Sequence, residues 1–303
     1  MISGARIVKD FKKNKHKYLM IVPVLIYLII FDYRPMYGVL IAFQKYRPAL
    51  GIAGSRWVGM DNFARFINDV YFWRVLKNTF VNSFLSMAFV FPMPIILALL
   101  LNEVKISWFK RTVQTISYLP HFIALVVMCG LLHKFCRTDG IINDIIAFFG
   151  GERSNLLLKE QMWYPIYLGS GVWKEIGWSS IIYLATLAGI DQEQFEAAKV
   201  DGAGRLQQIW HITLPGLVPT ISMLLILRMG SILSVGSQKI LLLYNEMTYN
   251  VADVISTYVY RKGMMDADFS YSTAIGLFNS LINIVFLLVT NKISKKMGQS
   301  GLF

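Results

Sequence analysis

Residues 196–215 have the sequence Glu-Ala-Ala-Lys-Val-Asp-Gly-Ala-Gly-Arg-Leu-Gln-Gln-Ile-Trp-His-Ile-Thr-Leu-Pro and lie between two long apolar segments. Just before them, Asp191 predicts a helix N-cap, with Gln194 as its capping-box partner. We therefore expect a short helix over 192–200. The chain presents this polar helix in a loop between two segments that are apolar enough to enter a membrane.

Small residues shape the surface of this loop. Ala197 and Ala198 leave one face of the predicted helix almost without side chains. Gly202 follows the helix and can end it, because glycine adopts the left-handed conformation without a steric penalty. A partner surface can therefore approach this loop closely.

Composition identifies the class of protein. Hydrophobic residues make up 55% of the 303 residues, aromatic residues 14% and charged residues 16%. A soluble domain has about a quarter charged residues. The composition predicts an integral membrane protein, and we expect it to be all-α.

Six segments have the length and apolarity of a transmembrane helix, which needs about 20 mostly apolar residues. An even number of spans places both chain termini on the same side of the membrane. The segments are approximately Tyr18–Leu40, Thr79–Leu101, Thr112–His133, Met162–Ile190, Leu214–Val235 and Phe269–Thr290.

The net charge of +12 comes largely from positive residues that flank the apolar segments. This distribution follows the positive-inside rule and predicts that both termini are cytoplasmic. It does not form the patch that a nucleic-acid partner needs, so no nucleic acid is expected. The flanking residues are Arg6, Lys9, Lys12, Lys13, Lys15 and Lys17 before the first segment, and Lys292, Lys295 and Lys296 after the last.

The connections predicted on the outer side contain further local structure. Asp61 is placed to cap an amphipathic helix whose apolar positions are Phe63, Phe66, Ile67 and Val70. Residues 136–161 and 236–268 form the other two outer connections, the second with helical character. The two cysteines, Cys129 and Cys136, do not form a disulfide framework or a metal knuckle.

The polar loop resembles a known signature. Glu196-Ala197-Ala198, Gly202 and Ile212-Thr213-Leu214-Pro215 match the EAA motif of permease subunits of binding-protein-dependent ABC importers. This resemblance implies a type I importer permease fold with six spans and cytoplasmic termini. It also implies a single permease domain over 1–303, with core spans over about 75–290 and a coupling loop over about 190–215.

In the family that the chain resembles, the EAA loop is a coupling helix that docks into a cleft of a cytoplasmic ATPase. The resemblance assigns this contact to Glu196, Ala197, Ala198, Asp201 and Gly202. The sequence contains no G-x-x-x-x-G-K-[ST] phosphate loop. ATP and Mg²⁺ are therefore expected to be used by a separate ATPase subunit, and no cofactor or metal is expected in this chain.

Apart from Asp32 and Arg34 near the outer end of the first segment, three charged residues lie inside the predicted spans: Lys174, Glu175 and Arg228. Such residues are costly in a bilayer and face a cavity or a partner. Adjacent residues on a helix diverge by about 100°, so Lys174 and Glu175 should point in different directions. Two alternatives remain open: an interhelical ion pair between Glu175 and Arg228, or charges that line the substrate path.

Aromatic side chains near these charges favour the second alternative. Trp173 and Trp178 flank Lys174 and Glu175, and His121 follows Pro120 in the third segment. Aromatic planes combined with a few polar groups suit a saccharide site. For each tryptophan taken alone, anchoring at the membrane interface is the simpler interpretation.

Further segments resemble permeases of complex-oligosaccharide importers, which are relatives of the larger maltose permease and include alginate and pectin-fragment transporters. These segments are 118–122, 253–261 and 273–278. Placed on the maltose permease, six residues of this chain fall at sugar-contacting positions, although several residue types differ. They are His121, Lys174, Glu175, Trp178, Arg228 and Ser231.

The leading hypothesis is thus a permease that imports an oligosaccharide, with an acidic one favoured by Lys174 and Arg228. Rival hypotheses are an importer permease for another solute, such as a polyamine or phosphate, a polytopic membrane enzyme, or a simple channel. An enzyme should show acidic pairs or a histidine–carboxylate cluster. The nearest acidic pairs are Asp266 with Asp268 and Asp191 with Glu193.

The resemblance also implies the partners and the location. They are a second six-span permease, expected to be a paralogue in a heterodimer, two ATPase subunits, and an extracytoplasmic solute-binding protein. The expected location is the cytoplasmic membrane, in which the chain is multi-pass. The sequence leaves open which sugar is carried and whether the second permease is a copy of this chain.

Overall fold

The computed structural model of the chain describes residues 13–234 and 236–296. Arg6, Lys9, Lys12 and Val235, on which some predictions rest, lie outside the described residues. The described chain is mostly helical, as expected where the backbone must satisfy its own hydrogen bonds in lipid. Its main helices are α1 Lys15–Phe43, α2 Asp61–Ile67, α3 Phe72–Glu103, α4 Ser107–Phe122, α5 Leu125–Cys136, α6 Ile141–Phe148, α7 Glu160–Ala188, α8 Gln192–Val200, α9 Arg205–Met229, α10 Ser237–Leu243, α11 Ile255–Tyr260 and α12 Phe269–Lys296.

Several of these helices contain turns of other geometry. π-helical turns lie at Ile29–Tyr33 in α1, Ser86–Val90 in α3 and Ile209–Thr213 in α9. α1 ends as a 3₁₀ helix over Tyr37–Phe43, and α4 ends in one over Leu119–Phe122. Short helical turns connect the main elements at Gly51–Gly54, Leu156–Leu158, Ile232–Ser234, Glu246–Thr248, Tyr249–Ala252 and Arg261–Met265.

The membrane-compatible helices confirm most of the predicted spans. Within the described residues, α1, α3, α9 and α12 are long and apolar enough to cross a membrane, and a fifth span results if a bent pair is counted as one. α7 has 29 residues but does not join this set, because Lys174, Glu175 and neighbouring polar residues lower its hydropathy.

The third predicted span, Thr112–His133, is not one straight helix. α4 and the helices over Leu125–Phe148 differ in direction by 100°. The break lies at Ile123 and Ala124, whose ψ angles of 126° and 140° are extended. Pro120, just before the break, also lacks the backbone N–H that a continuous helix would use.

One of two compact units comprises Met1–Asn68 and Arg261–Leu277. It contains an antiparallel pair of two-residue strands, β1 Gln44–Lys45 and β2 Arg56–Trp57, which the all-α prediction did not include. The ring of Phe43 stacks on that of Trp57 at 5.6 Å.

The helix predicted in this unit is confirmed as α2. Asp61 is its first residue rather than its cap, and the side chain of Met60 at the cap position makes no capping bond. Asn62 instead ties α2 to the preceding segment, because its side chain donates to the carbonyl oxygens of Ala42 and Gln44.

α1 is exposed within this chain. No residue in its most apolar 18-residue window is buried. Its apolar side chains are therefore available to lipid or to another chain.

The other unit comprises Asp69–Tyr260 and Phe278–Phe303, and it contains all six predicted sugar-site residues. A core cluster joins α5, α7 and α10 and includes Trp163, Tyr167 and Ile240. The Trp163 ring stacks on Tyr167 at 5.5 Å, and its Nε1 donates to Oδ1 of Asn82 on α3 at 2.9 Å. A second cluster, Ala98, Tyr183, Leu187 and Leu217, joins α3, α7 and α9.

α7 and α4 lie in close contact at Gly177. A Cβ atom at this position would lie 2.1 Å from the backbone oxygen of Ser117. Only glycine fits here unless the helices move apart.

We expect Gly177→Ala to destabilise the folded protein by about 1–3 kcal/mol, because overpacking forces α4 away from α7. The measurement is the thermal denaturation midpoint of the purified transporter complex. Gly169→Ala on the same helix is the matched control, since a Cβ there meets no atom within 4 Å. Equal midpoints for the two variants would contradict the close-packing argument.

Candidate functional site

Lys174 holds the break between α4 and α5. Its Nζ donates to the backbone oxygens of Ile123 at 2.7 Å and His121 at 3.1 Å. A helix end leaves carbonyl groups without intrahelical partners, and the lysine on α7 supplies donors for two of them. Lys174 also lines the cavity described below. The same side chain therefore binds the backbone at the break and forms part of the cavity wall.

His121 and Trp178 form a stacked pair next to this break. Their ring centroids are 4.5 Å apart and their planes differ by only 6°. Phe122 meets the Trp178 ring edge-on at 5.4 Å. Because Trp178 is still 42% exposed, the indole combines a supported face with surface that is open to a ligand.

Glu175 lies beside His121 but does not neutralise Arg228. Its carboxylate is 4.0 Å from Nδ1 of His121, and its side chain is 40% exposed. Among the described residues, no ion pair joins Glu175 to Arg228. The interhelical pair considered from the sequence is therefore absent from this structure.

Arg228, on α9, has a weak polar contact instead of an ion pair. Its Nη2 is 3.5 Å from Oγ of Ser86, in the π-helical turn of α3. Ser231, one turn later, has its Oγ 3.4 Å from the backbone oxygen of Arg228. Much of the hydrogen-bonding capacity of the guanidinium, which has five N–H donors, therefore remains for a ligand or water.

A buried lysine that the sequence analysis missed joins these charges. Lys239 on α10 is 9% exposed, and its Nζ donates to the backbone oxygen of Tyr167 at 2.6 Å. The prediction placed 236–268 in an outer connection, whereas α10 packs into the core of its unit. The apolar run 240–243, Ile-Leu-Leu-Leu, is the sequence signal that could have indicated this burial.

Two adjoining cavities are lined by these charged and aromatic residues. The first, of about 440 Å³, is lined by Lys174, Glu175, Arg228 and Lys239 among others. The second, of about 530 Å³, is more apolar and includes Trp178. Glu175, Arg228, Ser231 and Val90 line both cavities, so the two spaces meet at α9 and α7.

The structure thus brings together five of the six predicted sugar-site residues around the cavities, with His121 behind Trp178. Lys174 lines only the first cavity and Glu175 lines both, consistent with the expected divergence of neighbouring side chains. The first cavity carries three basic residues and one acidic residue among its described lining residues.

The predicted coupling loop has the local geometry expected from its sequence. α8 begins after Asp191, whose side chain accepts from the backbone N–H of Glu193 at 3.0 Å. This confirms the N-cap, but the bond goes to the second residue of the helix, and the predicted capping box with Gln194 does not form.

Gly202 ends α8 with φ of +78°. The backbone N–H groups of Gly202 and Ala203 donate to the oxygens of Lys199 and Ala198 at 3.1 and 2.8 Å. This pair of bonds is the Schellman motif, which requires a left-handed residue at the glycine position.

The loop exposes polar and apolar side chains together. Glu196, Ala197, Asp201 and Gly202 are exposed, and Ala198 is half-buried. Large apolar side chains that the sequence analysis did not single out are also exposed: Val200 at 88%, Leu206 at 74% and Trp210 at 67%. Such a patch is typical of a surface that another protein covers.

Comparison with known proteins defines the class. Residues 90–299 match the family described as "Binding-protein-dependent transport system inner membrane component". The chain belongs to this family, and it is therefore a multi-pass permease component of a transport system.

Individual relatives match over almost the whole chain. The polygalacturonan/rhamnogalacturonan transport system permease protein YteP of Bacillus subtilis (strain 168) is 47% identical over 292 residues, covering 96% of this chain and 91% of the relative. Protein LplB of the same organism is 45% identical over 293 residues, with coverage of 96% and 92%.

A solved structure shares the fold. One chain of the crystal structure of a bacterial alginate ABC transporter, in complex with an alginate pentasaccharide-bound periplasmic protein, matches with a TM-score of 0.91 and 42% identity. The match covers 98% of this chain and 100% of that chain. The fold is that of a type I ABC importer permease.

We expect Lys174→Met to destabilise the protein by about 1–3 kcal/mol, because two carbonyl groups at the break lose their donor. Thermal denaturation of the purified complex measures this loss. Glu175→Gln is the matched control: it changes a charge at the neighbouring position and leaves those hydrogen bonds in place. Equal denaturation midpoints for the two variants would show that Lys174 does not hold the break.

Proposed function

We propose that this chain is a permease subunit of an ATP-driven importer that carries an acidic oligosaccharide across the cytoplasmic membrane. One observation carries the proposal. The first cavity is lined by Lys174, Arg228 and Lys239 against the single carboxylate of Glu175. An excess of positive charge in a partly enclosed space favours an anionic ligand.

Cavity size and the aromatic pair support a sugar rather than a small ion. Two connected spaces of about 440 and 530 Å³ are far larger than a phosphate needs. A polyamine is a cation, which three basic side chains would repel. Trp178, backed by His121, offers a plane on which the CH face of a sugar ring can pack, and Arg228 offers donors to its oxygens.

The relatives support the acidic character of the sugar. Polygalacturonan and alginate, which occur in the names of the matched permease and transporter, are both polymers of uronic acids. The proposal transfers this chemistry, and not a particular sugar, to the present chain.

The acidic pairs that an enzyme hypothesis would use have structural partners. Asp266 pairs with Lys262 at 2.8 Å, and Asp268 pairs with Arg65 at 2.7 Å. Asp191 caps α8. These contacts favour the permease over the membrane enzyme.

Membership of the family supports the proposed assembly. It comprises this chain as a single permease domain, a paralogous six-span permease, two ATPase subunits that use ATP and Mg²⁺, and an extracytoplasmic binding protein. The six spans of this chain would be α1, α3, the bent pair α4–α5, α7, α9 and α12, with both termini in the cytoplasm. α8 would dock on the ATPase through Glu196, the small face of Ala197 and Ala198, and the exposed Val200.

Arg228→Gln tests the substrate site. We expect at least a roughly tenfold loss in the uptake of a labelled oligogalacturonate by the reconstituted importer, because a charge-assisted hydrogen bond is removed. Arg111→Gln is the control, since it removes the same charge from an exposed position on α4 outside the two cavities.

The amount of assembled complex is measured for both arginine variants. Undiminished uptake by Arg228→Gln would remove this residue from the site. A wild-type importer that carries a neutral oligosaccharide but no oligogalacturonate would overturn the proposed function.

Gly202→Pro tests the coupling loop. Proline fixes φ near −65° and has no N–H, whereas Gly202 has φ of +78° and donates to Lys199. We expect the complex to assemble but to hydrolyse ATP without sugar uptake. Gly204→Ala is the control, because Gly204 has φ of −69° and a Cβ there meets only Gln207 Oε1, at 3.8 Å. Normal coupling in Gly202→Pro would contradict the role of the loop.

A further inference from the structure

Lys239 is an unusual cavity residue because the contacts that hold its ammonium group are with neutral groups of Tyr167. Its Nζ donates to the backbone oxygen of Tyr167 and lies 4.6 Å from the centre of the Tyr167 ring. No carboxylate lies within ion-pair distance of Lys239 among the described residues. The side chain is nevertheless buried, at 9% exposure.

The two contacts with Tyr167 position the ammonium group but do not occupy all of its hydrogen-bond donors. An ammonium group has three N–H donors, and the Tyr167 oxygen takes one of them. The cation–π contact orients the group and leaves its charge in place. Two donors therefore remain on a side chain that lines the first cavity.

Glycine keeps the space in front of this ammonium open. A Cβ atom at Gly171, on α7, would lie 3.5 Å from Nζ of Lys239 and 3.4 Å from Cγ2 of Val90. Both are ordinary van der Waals distances, so an alanine fits here without strain. It would place a methyl group directly against the ammonium.

We infer that Lys239 is a specificity-determining residue that binds a carboxylate of the transported sugar and so distinguishes uronate oligosaccharides from neutral ones. This inference rests on the proposed function and adds to it the residue that selects for charge. A carboxylate compensates a buried ammonium, whereas a sugar hydroxyl offers only a neutral acceptor. Arg228 remains free to bind oxygens at the boundary between the two cavities.

The test compares a labelled short oligogalacturonate with its methyl ester in proteoliposomes that contain the complete importer. The uptake rate of each variant is divided by the wild-type rate for the same sugar. Any preference of the binding protein for one of the two sugars therefore cancels. We expect Lys239→Met to reduce uptake of the acid about tenfold more than uptake of the ester. Lys239→Arg keeps the charge and should retain most of the selectivity. Equal losses for both sugars in Lys239→Met would overturn the inference in favour of a purely structural role.

Gly171→Ala provides a second test that leaves the charge in place. We expect it to reduce uptake of the acid selectively, because the new methyl group covers the ammonium. Gly169→Ala is the matched control, since a Cβ there meets no atom within 4 Å. If Lys239→Met does not assemble, the comparison of Gly171→Ala with Gly169→Ala tests the role of Lys239 instead. Unchanged selectivity for the acid in Gly171→Ala would then overturn the inference.

The outcomes separate this inference from the proposed function. A wild-type importer that carries neutral oligosaccharides but no uronate oligosaccharide overturns the proposed function, and the role of Lys239 with it. A wild-type importer that carries the acid, combined with variants whose acid-to-ester ratio is unchanged, overturns only the role of Lys239.

Discussion

The break between α4 and α5 is the constraint on which the site depends. A transmembrane segment that stops being helical leaves carbonyl groups without donors, and such groups are tolerated only where protein or water satisfies them. Here Lys174 reaches from α7 and donates to Ile123 and His121. One charged side chain therefore fixes the 100° change of direction and ties it to α7.

The stacked pair and the cavity wall follow from this connection. The same 3₁₀ turn that precedes the break carries His121, whose ring lies on Trp178 one helical turn beyond Lys174. The turn and α7 are thus joined by a charge-assisted hydrogen bond and by a ring stack. Arg228 approaches from α9, and its contact with Ser86 is long. The wall made by α4 and α7 is consequently joined by two side-chain contacts beside the cavity, whereas Arg228 on α9 makes one long polar contact there.

The limits of sequence-based prediction follow the distance over which each interaction acts. The ends of α8 were predictable because Asp191 bonds to Glu193 and Gly202 bonds to Lys199, within a few residues of the chain. The burial of Lys239 depends on Tyr167, 72 positions away, and the apolar run 240–243 beside it indicates burial without indicating this partner. The predicted group of sugar-site residues assembled because a family resemblance supplied the long-range information. Spacing alone left the Glu175–Arg228 pair open, and the structure decided against it.

The chain order connects the coupling loop to both walls of the cavity. α7 leads into the predicted coupling loop and α9 leads out of it, so a displacement of α8 would act on both helices. Near the loop the two helices are bonded through the hydroxyls of Thr186 and Thr220 at 3.0 Å and packed through Leu187 and Leu217. Further from the loop, residues of both helices line the second cavity, and Glu175 lies about 20 Å along α7 from its end at a rise of 1.5 Å per residue. The packed region is therefore suited to act as a fulcrum, about which a small rotation of α8 on the proposed ATPase would move Trp178 and Arg228 relative to each other.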